Sequence, residues 1–304
     1  MPPTVIRALR LPVAVVLAGA LALSACATAP RPSDPSARAA SPVERGGVDW
    51  VLVNGRGGPN AIVVDPPGPS CSRPCALVIV DGFNNSLSDA THNFTGISAS
   101  YREAGGECDV FGFAWGSDVG LTKFARAEAA ADGDGSRALA SFLQKERTAC
   151  HARPVHLVGH SLAARVLLRA LIPAPGTPPS ARVTVESAAL VAPAIAADAL
   201  EPTGELGAAV PQIGRLGVFY NSEDYMVLGF FYPLASRRKT QPLGLGGSRD
   251  RARVPPNVVE VDFADRWGPT HTALRAYGRA FWDYHLRTLS PPPGIARSNQ
   301  PPRL

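Results

Sequence analysis

The chain has 304 residues, 45% of them hydrophobic and 18% charged, which is enough apolar material for one large catalytic domain and too much for a disordered chain. Its 29 glycines and 30 prolines follow no triplet repeat, so a collagen-like structure is excluded. The formal net charge is +5, but the basic residues are scattered and no basic helix is interleaved with aromatics, so nucleic acid is not an expected partner.

In chain order, the first feature is a positive start, Arg7 and Arg10, followed by an apolar run from Leu11 to Leu23. That run suits the core of an export signal and falls short of a bilayer span. It ends in Leu23-Ser24-Ala25-Cys26, which resembles the bacterial lipobox. Residues 1–25 are therefore expected to be a lipoprotein signal peptide, and Cys26 the acylated residue that anchors the protein to a cell-envelope membrane. The outer membrane is preferred, because Ala27 is not the Asp associated with inner-membrane retention. Residues 26–46, small, polar and rich in Pro, read as a lipidated flexible tether. Residues 47–290 are the expected folded domain, and 291–304 a disordered tail.

Apolar, β-branched runs predict eight strands, at 50–53, 61–64, 76–80, 110–114, 155–158, 183–191, 216–220 and 258–263. From the third onward they alternate with helical segments at 87–103, 123–147 (interrupted at Asp132-Gly133-Asp134-Gly135), 161–171 and 272–286. Strand and helix in alternation imply an α/β fold, a mostly parallel eight-stranded sheet with helices on both faces. Ligands then belong at the carboxyl ends of the strands. Cys71, Cys75, Cys108 and Cys150, near strand starts, lie at the opposite end. In an exported protein this even number implies two disulfides. Three connectivities are possible, and Cys71 with Cys75 and Cys108 with Cys150 is the favoured one. No pair has the two-residue gap usual for zinc ligands, so no metal is expected.

Val155-His156-Leu157-Val158-Gly159-His160-Ser161-Leu162-Ala163 runs from a buried strand into a helix through a small-x-Ser-x-small turn. Such a turn brings backbones together and projects the serine hydroxyl into a cleft, the nucleophile elbow; the bland alternative is a helix N-cap. With Val78-Ile79-Val80-Asp81-Gly82-Phe83-Asn84-Asn85, Leu190-Val191-Ala192-Pro193 and Phe219-Tyr220-Asn221-Ser222-Glu223-Asp224, the elbow makes residues 75–287 resemble the alpha/beta-hydrolase superfamily. Within it, the order of motifs is similar to a bacterial hydrolase family of unknown function. The resemblance implies the alpha/beta-hydrolase fold, no cofactor, Ser161 as nucleophile, Asp224 as the acid that follows it, and a histidine after the acid. Glu223, Asp198, Asp262 and Asp265 compete for the acid. Of six histidines only His271 and His285 follow the acid, and His271, in a loop before the last helix, is preferred. The main-chain amides of Phe83 and Leu162 are the expected oxyanion donors. The relatives carry His-Gly where this chain has Asp81-Gly82, and an ionised Asp81 would oppose an oxyanion unless paired or turned away.

Residues 226–234, Met-Val-Leu-Gly-Phe-Phe-Tyr-Pro-Leu, are too apolar for an ordinary exposed loop. A core helix covering the sheet edge is the favoured account, with an acyl-binding wall or a lid as the other. Arg237, Arg238, Lys239, Arg249, Arg251 and Arg253 flank a Gly-rich stretch; a solvated loop is favoured over contact with anionic lipid or substrate. The expectation is a lipid-anchored, exported serine hydrolase acting on small-molecule or lipid esters through Ser161, Asp224 and His271. One alternative is a hydrolase-like envelope protein that has lost catalysis and serves as a binding scaffold; another is an amidase or peptidase, which would use the same triad and acyl-enzyme chemistry.

Overall fold

The apolar runs fold as eight strands: β1 (Val51–Asn54), β2 (Val63–Asp65), β3 (Ala76–Val80), β4 (Asp109–Ala114), β5 (Val155–His160), β6 (Val185–Val191), β7 (Ile213–Tyr220) and β8 (Val258–Asp262). The structure, a computed structural model, describes residues 50–65, 71–150 and 153–289. The expected signal peptide, tether, Cys26 and tail therefore lie outside the described residues. The chain divides into two units, Met1–Gly46 and Gly47–Leu304, and all described residues belong to the second.

One sheet holds all eight strands in the order β2-β1-β4-β3-β5-β6-β7-β8. β2 runs antiparallel to β1, and every other pairing is parallel. Every residue of β3 and β4 is buried, as strands covered on both faces require.

The helices are α1 (Leu87–Glu103), α2 (Phe124–Ala130), α3 (Ser136–Ala149), α4 (Ala163–Leu171), α5 (Tyr232–Ala235), α6 (Leu243–Gly246), α7 (Ala264–Trp267), α8 (Ala273–Ala276) and α9 (Arg279–Tyr284). A capping box starts α1: the Ser86 hydroxyl accepts from the Asp89 amide, and the Asp89 carboxylate accepts from the Ser86 amide. The period-2 alternation of β4 assigns the faces. A Cβ on Gly112 would lie 2.4 Å from the Phe94 ring of α1. Its neighbours Phe111 and Phe113 turn the other way, toward Phe142 of α3, at ring-centroid distances of 5.4 and 6.4 Å. Helices thus cover both faces.

Two predicted helices differ in extent. The segment expected at 161–171 begins two residues later, because Ser161 has φ 57, outside any right-handed helix. The segment expected at 272–286 breaks into α8 and α9, since Gly278 is extended (φ −68, ψ 174) and restarts the helix. The expected interruption near 132–135 is a π-helical turn, Ala131–Gly135, with non-helical backbone at Gly133. It delivers Asp132 to α4, where the carboxylate accepts from Arg165 Nε at 2.8 Å and Arg169 Nε at 2.9 Å. Arg165 is also held by both carboxylate oxygens of Glu205, at 2.9 and 2.7 Å, so its burial is compensated.

The favoured disulfide pairing is corrected. Cys75 pairs with Cys108 and Cys71 with Cys150, at Cα separations of 4.5 and 5.7 Å. The reason is strand order: β3 and β4 are neighbours with Ala76 opposite Asp109, so the residues just before them stand side by side. Cys150, at the end of α3, is left for Cys71.

Candidate active site

The elbow is built from the close approach of two small residues. A Cβ on Gly159 would sit 3.2 Å from both the carbonyl carbon and the Cβ of Ala163. Glycine at 159 thus lets the two backbones approach closely, and the turn closes with alanine at 163. Ser161 takes a positive φ there, its amide donating to Val191 O at 2.9 Å and its carbonyl accepting from Ala194 N at 3.1 Å. The chain at the end of β6, from Val191 to Ala194, therefore clamps the serine backbone on both sides.

Asp224 and His271 arrive from the ends of β7 and β8. His271 Nε2 lies 2.9 Å from Ser161 Oγ, and its Nδ1 bonds to Asp224 Oδ2. The other oxygen, Asp224 Oδ1, accepts from the amides of Val227 and Leu228 at 3.3 and 3.4 Å, capping the helical segment that follows. The acid is buried, 2% exposed, and the histidine side chain is 13% exposed. The competing carboxylates are committed elsewhere: Asp198 pairs with Arg249 at 3.5 Å, and Asp262 accepts from the amides of Ser222 and Ala264. His285 is enclosed, and burial pushes its pKa down to about 3. Neither Glu223 nor Asp265 bonds to His271 among the described residues.

Asn221 was not singled out from the sequence. It is fully buried, and its side-chain amide donates to Gly268 O and Thr270 O, both at 3.0 Å. Its side-chain oxygen accepts from Glu223 N at 3.1 Å. One side chain thus ties the acid loop to the histidine loop. It stood inside the motif that suggested Asp224, but nothing in its residue type distinguished it from a turn former.

After β3 the chain turns through Asp81-Gly82-Phe83-Asn84, with Asn84 in the left-handed region (φ 61) and its amide bonded to Ser117 O at 3.1 Å. No hydrogen bond uses the main-chain amide of Phe83 or Leu162 among the described residues. Asp81 is buried; Asn85 Nδ2 donates to its Oδ1 at 2.8 Å, and its Oδ2 has no hydrogen-bond partner among the described residues. Burial pushes its pKa up to about 7, against the lowering effects of the Asn85 bond and the Arg56 charge. The carboxyl is therefore neutral over the acidic range, so the expected conflict with an oxyanion is relieved there chiefly by burial.

His160 packs beside the catalytic candidates, its ring centroid 4.7 Å from that of His271. Burial and the neighbouring His271 hold its pKa well below the usual value, so it is a neutral wall. Tyr277 lies behind it, at 6.4 Å between centroids, with its own pKa raised by burial and by the Asp81 charge. Tyr277 was not singled out from the sequence either. At the opposite end of the sheet, Cys75, Cys108 and His156 have their ligand-type atoms within 4.8 Å of one another, but the two sulfurs share a disulfide and supply no thiolate.

The model of a family described as "Alpha/beta hydrolase of unknown function (DUF900)" matches residues 72–225, about half of the chain and including the elbow and Asp224. No curated protein matches. Among solved structures, the chain is similar to the catalytic core domain of an acetyl xylan esterase from Trichoderma reesei, at 13% identity and TM-score 0.37 over 70% of this chain and 94% of that one. It is also similar to a cutinase-like protein from Cryptococcus sp. (12%, TM-score 0.33, 71% and 95%). A third is a thermophilic esterase from the Planctomycetes species Thermogutta terrifontis (13%, TM-score 0.32, 62% and 72%). Nothing about substrate follows from likeness at this level.

Proposed function

This chain belongs to the alpha/beta hydrolase family of unknown function, and from that premise we propose that it is a serine hydrolase that cleaves carboxylic esters. The observation that carries the reading is the continuous line from Ser161 Oγ through His271 to Asp224 Oδ2. Along it, His271 Nε2 takes the hydroxyl proton as Ser161 Oγ attacks the ester carbonyl. Asp224 keeps the Nδ1 proton in place and stabilises the imidazolium. The amides of Leu162 and Phe83 receive the developing oxyanion, each contributing about 3 kcal/mol to lowering the barrier. The imidazolium then returns its proton to the departing alcohol, leaving an acyl group on Ser161. Water, deprotonated by the same nitrogen, releases the acid and restores the serine.

Esters are the proposed class because the wall beside Phe83 is aromatic and uncharged. The Phe83 ring meets Phe124 at 5.0 Å, and Phe124 meets Phe231 at 5.6 Å, both edge-on. An apolar acyl chain suits such a wall better than a polar peptide does. The proposal includes attachment of the exported protein to the cell envelope through acylated Cys26, with the outer membrane preferred.

The reading is tested by fluorophosphonate labelling of the purified protein. Wild type is expected to label stoichiometrically, Ser161→Ala not at all, and His271→Ala and Asp224→Asn at rates lower by about 10³-fold or more. A folded wild type that fails to label would remove the enzyme reading and leave a binding scaffold.

A further inference from the structure

The segment after Asp224 is half core and half surface. It runs as a π-helical turn, Tyr225–Phe231, directly into α5. Leu228 and Tyr232 are buried, whereas Tyr225, Met226, Phe230 and Leu234 are 64%, 51%, 55% and 67% exposed. Met226, Phe230 and Leu234 recur every fourth residue and so form one stripe along the helical surface. From Tyr225 to Ala235 there is no charged side chain. A concentrated apolar surface of this kind marks a contact site.

Two features say what the stripe contacts. It is rooted in the proposed active site: Asp224 caps its first turn, and its inner side packs through Phe231 and Tyr232 on Phe124, which also touches Phe83. Its flanks are cationic. Arg237 and Lys239 follow it, and Lys123 and Arg126 bracket Phe124; all four are exposed and form no ion pair among the described residues. Two acids beside it are turned inward, Asp224 on His271 and Glu128 on Ser236 and the Arg237 amide. An apolar stripe edged by cations matches a bilayer surface whose head groups are anionic and whose acyl boundary lies just beneath.

We propose that the Met226, Phe230 and Leu234 stripe docks this protein on an anionic phospholipid surface, holding the mouth of the site against the lipid. The docking itself does not require catalysis; only its use, on esters carried by the bilayer, rests on the serine-hydrolase reading.

The test uses the full chain reconstituted in vesicles, with Phe230→Trp as a depth reporter. The four native tryptophans are all buried, at most 4% exposed, and form a constant background. In phosphatidylglycerol vesicles containing brominated acyl chains, the indole introduced at position 230 is expected to be quenched. Quenching should weaken in phosphatidylcholine, in high salt, and with Arg237→Gln plus Lys239→Gln. Absence of quenching in any vesicle, while the protein stays vesicle-bound, overturns the proposal. So does an indole already shielded without vesicles, whether at every concentration (the chain covers its own stripe) or only as dimers form (a second copy does).

A second measurement separates the two readings. The triple variant Met226→Ser, Phe230→Ser, Leu234→Ser should hydrolyse a vesicle-borne ester about tenfold more slowly than wild type while keeping its rate on a dissolved short-chain ester within about twofold. Equal loss on both substrates counts against docking. If wild type hydrolyses neither, the serine-hydrolase reading fails while the quenching result stands by itself.

Discussion

Asp81 places a titrating carboxyl two residues before a proposed oxyanion donor, and its surroundings give the sign of the effect. The Asn85 side chain donates to it, the charges of Arg56 and Asp89 act on it, and its own charge acts on Tyr277. Because the folded pKa is raised from 3.8 to about 7, the folded state binds more protons than the unfolded chain across that window. Stability is therefore fullest below about pH 4 for this group and is lost as pH rises to about 7. Above that pH its negative charge would also oppose the oxyanion proposed at Phe83 and Leu162. Asp81→Asn is expected to stabilise the protein at pH 8 by a few kcal/mol, on the order given by a three-unit shift, and to remove a roughly tenfold alkaline fall in kcat. Denaturant midpoints and kcat measured from pH 5 to 9 check both. An alkaline fall that persists in the variant assigns it to another group. The meeting of Ser161, Asp224 and His271 was legible because the elbow motif, the family resemblance and chain order together narrow the choices. Asn221 and Tyr277 were not, because their roles arise from where distant loops meet.

At the level of elements, the elbow rests on a close backbone approach at Gly159. Gly159→Ala would force a Cβ to 3.2 Å from the Ala163 backbone. The expected cost is about 1–3 kcal/mol of stability, with slower fluorophosphonate labelling because the serine is displaced. Thermal melts and labelling rates report these separately, and a variant unchanged in both would show that the turn has slack. Strand positions and α1 were readable from periodicity alone. The start of α4 and the break before α9 were not, since each depends on one residue's backbone angles: Ser161 turned into the left-handed region and Gly278 extended. The disulfides failed for a similar reason, because which cysteines meet depends on β4 lying beside β3, and sequence order does not state this.

At the scale of the whole molecule, the sheet separates covalent bracing from chemistry. Both disulfides sit at the amino end of the strands, and the candidate catalytic side chains sit at the carboxyl end. The described residues contain no helix long and apolar enough to cross a membrane. The proposed lasting attachment is through Cys26, which lies outside them. Fractionation of cells expressing Cys26→Ser is expected to move the protein from the membrane fraction to the soluble one. Retention in the membrane would argue against acylation as the anchor. The stripe alone should then bind only weakly and in a salt-sensitive way.

The divided carboxylate of Asp224 also constrains how such a protein can diverge. One oxygen orients His271, and the other fixes the first turn of the apolar segment. An insertion or deletion in residues 225–231 would rotate that turn and withdraw the amides from the carboxylate that serves the histidine. Descendants that explore new substrates or surfaces are thereby steered toward replacing the side chains of this segment, one at a time, while its length stays fixed.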